Sequence, residues 1–168
     1  METKKRITFV VNPISGTHGK EFILRLIEKE LDHSIYDYSI QKTEYAGHAS
    51  EIAAQAAAEH TDIVVAIGGD GTINEIGRAL IHTNTAMGII PCGSGNGLAR
   101  HLHIPMEPKG AINVLNAGNV KTIDYGIMTI TLLLYMRSGI RCLREPEICR
   151  FREKRSADLS GKYTARKV

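Results

Sequence analysis

Two glycine-rich turns hold the residues that could do chemistry. The first is Gly68-Gly69-Asp70-Gly71-Thr72, reached through five consecutive apolar residues, Ile63 to Ile67. An apolar run without polar alternation that stops at glycines predicts a strand buried on both faces and ending in a tight turn. Ile73, Ile76, Ala79 and Leu80 then recur at helical spacing. The turn therefore presents the backbone N–H groups of a helix start, which attract anions. Glycine lets the backbone approach a phosphate closely and take positive φ where a turn demands it. Asp70 is the one carboxylate in this turn. Beside phosphates a carboxylate repels, so its presence points to an intervening Mg²⁺, or to a proton or hydroxyl that it must accept. A plain strand-turn-helix corner would need only a glycine pair, whereas GGDGT followed by Asn74 and Glu75 is a far more specific pattern.

The second turn is Cys92-Gly93-Ser94-Gly95-Asn96-Gly97, again between an apolar run, Thr85 to Pro91, and a helix opening at Leu98. Two backbone cradles at the ends of two strands of one sheet read as a nucleotide site. Neither is a Walker loop, because no Gly-Lys-Ser/Thr follows, and no GxGxxG stands at the first strand. The loop Ser15-Gly16-Thr17-His18-Gly19 is either punctuation or a third phosphate-contacting surface. Thr43 carries a hydroxyl at the C-terminal end of a strand, where open α/β sheets hold ligands. His48 lies at a helix start and reads as a capping or packing histidine.

The elements that must position these residues alternate along the chain. Strands are predicted over Arg6 to Asn12, Ser34 to Ile40, Ile63 to Ile67, Thr85 to Pro91 and Val120 to Met128. Helices are predicted from about Lys20 to Leu31, within Thr43 to His60, after GGDGT, from Leu98 to Leu102 and from Glu107 to Ala117, where Gly118 suits the C′ position. Alternating βα units predict an α/β fold, a mostly parallel sheet with helices on both faces and right-handed crossovers.

At 168 residues the chain suits one domain of ordinary size. No apolar run is long enough to span a bilayer, and the charged start, Met1 to Arg6, lacks a signal-type core. Three cysteines, Cys92, Cys142 and Cys149, are an odd set without metal-ligand pairing, which fits a reducing compartment. A cytoplasmic protein is expected, at most peripheral at the inner membrane surface. Residues 1–136 hold 11 Lys+Arg against 14 Asp+Glu, and residues 137–168 hold 10 against 4. The basic character is all tail, so the body offers no nucleic-acid surface, and the tail lacks the interleaved aromatics of a stacking one.

In order along the chain stand Asn12-Pro13 with Ser15-Gly16, Thr43 with Gly47-His48-Ala49, Gly68 to Thr72 with Asn74-Glu75, Pro91 to Asn96, and Ile123-Asp124-Tyr125-Gly126. This series resembles the nucleotide-binding half of the diacylglycerol kinase catalytic-domain family, bacterial lipid kinases similar also to sphingosine and ceramide kinases. The resemblance covers roughly residues 5 to 128. Gly97 departs from it, since many members carry Asp there, and Ser94 replaces the commoner Thr. The resemblance implies transfer of the γ-phosphate of ATP to a lipid hydroxyl such as that of diacylglycerol. It further implies that ATP is held by Asn12, Pro13, Ser15, Gly16, Thr43, Gly68, Gly69, Asp70, Gly71, Thr72, Ile73, Asn74, Ser94, Gly95 and Asn96, with Asp70 acting near phosphate-bound Mg²⁺. No residue is assigned as general base; Asp70 is the one candidate.

Family members continue into a second, mainly β domain that supplies lipid contacts and the catalytic carboxylate, and little of that domain is found here. The expected organisation is an ATP-binding domain over residues 1–128 and a non-family basic tail over 129–168. Past Met128 the pattern stops. Thr129 to Met136 reads as one strand, and nothing after it predicts a packed element. Tyr135 to Cys142 can be encoded so that the frame one nucleotide later reads Thr-Cys-Gly-Val-Gly-Phe-Asp-Ala, as the family would, and Asp158 to Ala165 conceals Thr-Tyr-Leu-Glu-Asn-Thr-Leu in that frame. A shifted reading frame is the expectation, and stop codons before those segments would refute it. Alternatively, residues 137–168 contact anionic lipid electrostatically. Two further readings stand beside the lipid kinase: an NAD kinase, which shares GGDGT but not the second cradle, and a non-catalytic ATP-binding module.

Overall fold

Each continuous apolar run becomes a strand covered on both faces. The computed structural model describes residues 3–14, 19–128, 131–133 and 148–153. Its strands are β1 (Lys5–Val11), β2 (Tyr36–Lys42), β3 (Ile63–Gly68), β4 (Ala86–Pro91), β5 (Val120–Met128), β6 (Thr131–Leu133) and β7 (Ile148–Glu153). The helices are α1 (Lys20–Glu30), α2 (His48–Ala58), α3 (Asp70–Leu80), α4 (Gly97–His101) and α5 (Pro108–Ala117). Every residue of β3 and β4 is buried. β2 buries only Tyr36, as an outermost strand does.

The sheet runs β2-β1-β3-β4-β7-β5-β6. Strands β1 to β4 are mutually parallel, β7 is antiparallel to β4 and parallel to β5, and β6 closes antiparallel on β5. The chain moves one way from β1 to β2 and the other way through β3 and β4. Right-handed crossovers then put α1 on one face and α2 and α3 on the other. The packing agrees: α2 contacts α3, and α1 contacts α5. Phe9, Ile23, Ile27, Ile67, Ile76 and Ile90 fill the layers between. Helices therefore leave β1 and β3 on opposite faces, and a crevice opens between the C-terminal ends of those two strands.

The ends of the strands are level. Val11 is paired with Lys42 and with Ile67, Ile67 with Ile90, and Gly68 with Pro91. The loops after β1, β2, β3 and β4 thus open at one height.

One expectation needs correcting. A packed element was not foreseen after Met136, yet β7 lies between β4 and β5. Its residues Cys149 and Phe151 alternate with Arg150 and Arg152, a strand period that the dense charge conceals. β6 falls inside the predicted 129–136 strand. The two segments of the shifted-frame reading, 135–142 and 158–165, lie outside the described residues. Among the described residues no helix is long and apolar enough to cross a membrane.

Candidate functional site

Asn12 ends β1 at the crevice and ties its two sides together. Its N–H donates to Ile67 O at 3.2 Å, and its Nδ2 to Thr72 Oγ1 at 3.3 Å. Its Oδ1 accepts the N–H of Ile14 at 3.0 Å, which turns the chain through Pro13. Ser15 and Gly16, expected to contact ATP, lie outside the described residues.

The glycines of the two turns are explained mostly by one another. A Cβ on Gly68 would sit 2.5 Å from Thr72 Oγ1. One on Gly93 would sit 2.6 Å from the Gly69 Cα, so the turns touch backbone to backbone. One on Gly95 would lie 2.6 Å from Asp70 Oδ2. Gly71 is different. It is exposed in the first turn of α3, and a Cβ there would meet nothing within 4 Å among the described residues.

Asp70 opens α3 with its carboxylate turned to the second cradle. Oδ2 accepts the N–H of Asn96 at 2.9 Å, and Oδ1 accepts that of Gly97 at 2.7 Å. Two donors at the start of α4 therefore face the carboxylate that reading the residues alone paired with an intervening Mg²⁺, or with a proton or hydroxyl to accept. Asn96 is buried and left-handed (φ +53°). Its Oδ1 accepts the Gly93 N–H at 2.9 Å, and its Nδ2 donates to Gly93 O at 2.7 Å. That side chain builds the turn and has little left for a ligand.

The remaining expected residues divide. Ile73 is 1% exposed and packs in the core, and its N–H donates to Gly69 O at 3.1 Å, so it supports the helix. Thr72 is buried against Asn12 and Gly68. Asn74 Oδ1 is buried without a hydrogen-bond partner among the described residues. Ser94 is exposed on the second turn. Thr43 is buried, and its N–H donates to Val11 O at 2.9 Å, which fixes the loop after β2 at the level of Asn12.

Lys20 was not foreseen. Its Nζ is buried, and the one group it reaches among the described residues is the weakly accepting thiol of Cys92. It lies beside Cys92, whose thiol burial pushes up from its ordinary value while the ammonium pulls the other way. A sequence signal existed: a cation in the first turn of a helix opposes the helix dipole, so a lysine opening α1 asks for an anion. Next to it a cleft of about 810 Å³ opens, lined by Ile23, Cys92, Ser94, Arg100, Met106 and Glu107.

Among the described residues no three of His, Cys, Asp or Glu gather as a metal site. Two features here suit anions: the start of α3 with its exposed Gly71, and, beside Cys92, the buried ammonium of Lys20.

Known proteins resemble this chain in sequence and in fold. The family model of the diacylglycerol kinase catalytic domain matches residues 6–128. A diacylglycerol kinase of Staphylococcus saprophyticus is 33% identical over 141 residues, covering 81% of this chain and 45% of that protein. One from Staphylococcus aureus is 34% identical over 141 residues, covering 81% and 44%. The crystal structure of a diacylglycerol kinase from Bacillus anthracis superposes with a TM-score of 0.66 at 27% identity, over 73% of this chain and 42% of that one. This chain spans less than half the length of those relatives. Matched by that family model over residues 6–128, most of its length, it belongs to the diacylglycerol kinase catalytic domain family.

Proposed function

We propose that residues 1–128 form the ATP-binding unit of a lipid kinase, with residues 129–168 outside it. In this reading the phosphates lie along the crevice, across the start of α3 between the Asn12 and Gly68 loops. The backbone of residues 68–71 and the exposed Ser94 hold them, and Lys20 supplies a positive charge from α1. A bound Mg²⁺ would neutralise charge between the phosphates, taking its oxygens mainly from them and from water, with Asp70 the carboxylate of the turn. Phosphoryl transfer depends chiefly on positioning and charge stabilisation, which such a cradle provides. The acceptor is a lipid hydroxyl such as that of diacylglycerol, which requires approach to a membrane surface.

Gly71 supports this most directly. Glycine within a helix costs about 1 kcal/mol relative to alanine, and no neighbour among the described residues requires it. A ligand that comes within contact of the backbone does.

Calorimetric titration with Mg-ATP tests the reading. The wild-type chain should bind saturably, and Gly71→Ala should bind about tenfold or more weakly, a loss of ~1.4 kcal/mol or more. Affinity unmoved by Gly71→Ala would remove the phosphates from this turn. Phosphate transfer to NAD with none to diacylglycerol would refute the lipid acceptor.

A further inference from the structure

Tyr45 is 54% exposed, yet it is held as firmly as a buried ring. The imidazole of His48 stacks on it, centroids 4.5 Å apart and planes 2° from parallel. Its hydroxyl donates to Glu51 Oε2 at 2.8 Å. The imidazole is fixed in turn, because its Nδ1 accepts the N–H of Glu44 at 3.1 Å, and the His48 N–H donates to Tyr45 O at 3.2 Å. Gly47, at φ +92°, lets the loop fold back over itself. Fixing exposed side chains costs rotamer entropy. His48 covers one face of the ring, and no other ring contact to Tyr45 is found among the described residues, in keeping with its 54% exposure.

The position of this face is set by the strands. Thr43 is bonded to Val11, so the loop carrying Tyr45 leaves the sheet at the height of the glycine turns. In the order β2-β1-β3 it stands two strands from Gly68, a lateral distance of about 10 Å at ordinary strand spacing. That gap suits a ribose and its first phosphate.

We propose that Tyr45 is the platform on which the base of the nucleotide stacks, with His48 and Glu51 as its positioning residues. This rests on the reading that the phosphates occupy the glycine turns. Stacking on a preoriented ring avoids an ordering cost on binding. It reads a π-face and not the hydrogen-bonding edge of the base. The site is therefore one for nucleoside triphosphates that does not discriminate adenine from guanine.

The test compares Mg-ATP, Mg-GTP and Mg-tripolyphosphate binding to the full chain. Tyr45→Ser should weaken ATP and GTP alike by about tenfold, the value of one stacked base, and leave tripolyphosphate unchanged. Tyr45→Phe keeps the ring and should retain most of the affinity. Unchanged ATP binding in Tyr45→Ser overturns the platform, and so does an equal loss for tripolyphosphate, which would mean that the loop had collapsed onto the phosphate site. If the wild-type chain binds neither ATP nor tripolyphosphate, the phosphate reading fails and the platform fails with it.

Discussion

The glycines of the two turns answer to different neighbours, so one substitution has opposite outcomes at two of them. Alanine at Gly93 drives a Cβ to 2.6 Å from the Gly69 Cα. Backbone faces backbone there, and neither can rotate away. Gly93→Ala should lower stability by about 1–3 kcal/mol, the cost of overpacking, and urea unfolding measures it. Alanine at Gly71 meets open space and should raise stability by up to about 1 kcal/mol while weakening ATP. A Gly93→Ala chain as stable as wild type would show that the turns part easily. The glycine pattern was legible in the sequence, but its cause was only partly so. Close approach of a phosphate was inferred for all of them, whereas Gly68, Gly69, Gly93 and Gly95 are small because other parts of the chain lie against them. Apart from Gly68, which meets Thr72 four residues on, such contacts join residues about 25 positions apart in sequence, and neither periodicity nor spacing reports them. His48 packs and accepts a backbone N–H as its place at a helix start suggested, but its pairing with Tyr45 escaped for another reason. They are near neighbours, but their stack depends on Gly47 turning the loop.

At the scale of the element, α3 and α4 are joined through Asp70. Its carboxylate accepts the N–H groups of Asn96 and Gly97, which places an acceptor from one helix at the start of the next. A helix of five residues cannot hold itself in water, so α4 depends on such tertiary bonds. Asp70→Ala should therefore do more than weaken Mg-ATP binding. It should cost about 1–2 kcal/mol, less than two fully buried charged bonds because the pair lies near solvent, and amide exchange at Asn96 and Gly97 should accelerate. A role confined to metal and phosphate would leave those two amides protected. The elements themselves were largely readable: unbroken apolar runs named β1, β3 and β4, and Gly118, at φ +67°, closes α5 as its type and place suggested. The partner of Asp70 was not readable, since a carboxylate beside glycines looks the same whether it faces a metal or a second turn.

At the scale of the molecule, the sheet is completed from a distant part of the chain. β7 lies between β4 and β5, and it meets β4 at one pair, Met87 with Cys149, but follows β5 over six. Its place could not be read from local pattern, because four of its six residues are charged or cysteine and its partners come from 28 residues earlier on β5 and 62 on β4. The four parallel strands β1 to β4 and their helices hold the core and the candidate site without it. Ending the chain at Glu147 should thus separate the two halves of the sheet and not unfold it. Amide exchange should rise across residues 120–125 and at the β4 edge, where N–H groups lose their partners, while amides of β1 and β3 keep their protection and Mg-ATP binding persists. A bare, fully apolar β4 edge also favours association, so the shortened chain should form concentration-dependent oligomers on size exclusion. Global loss of protection in β1 and β3 would instead make β7 part of the folding unit, and the nucleotide site would then depend on residues far outside the family match.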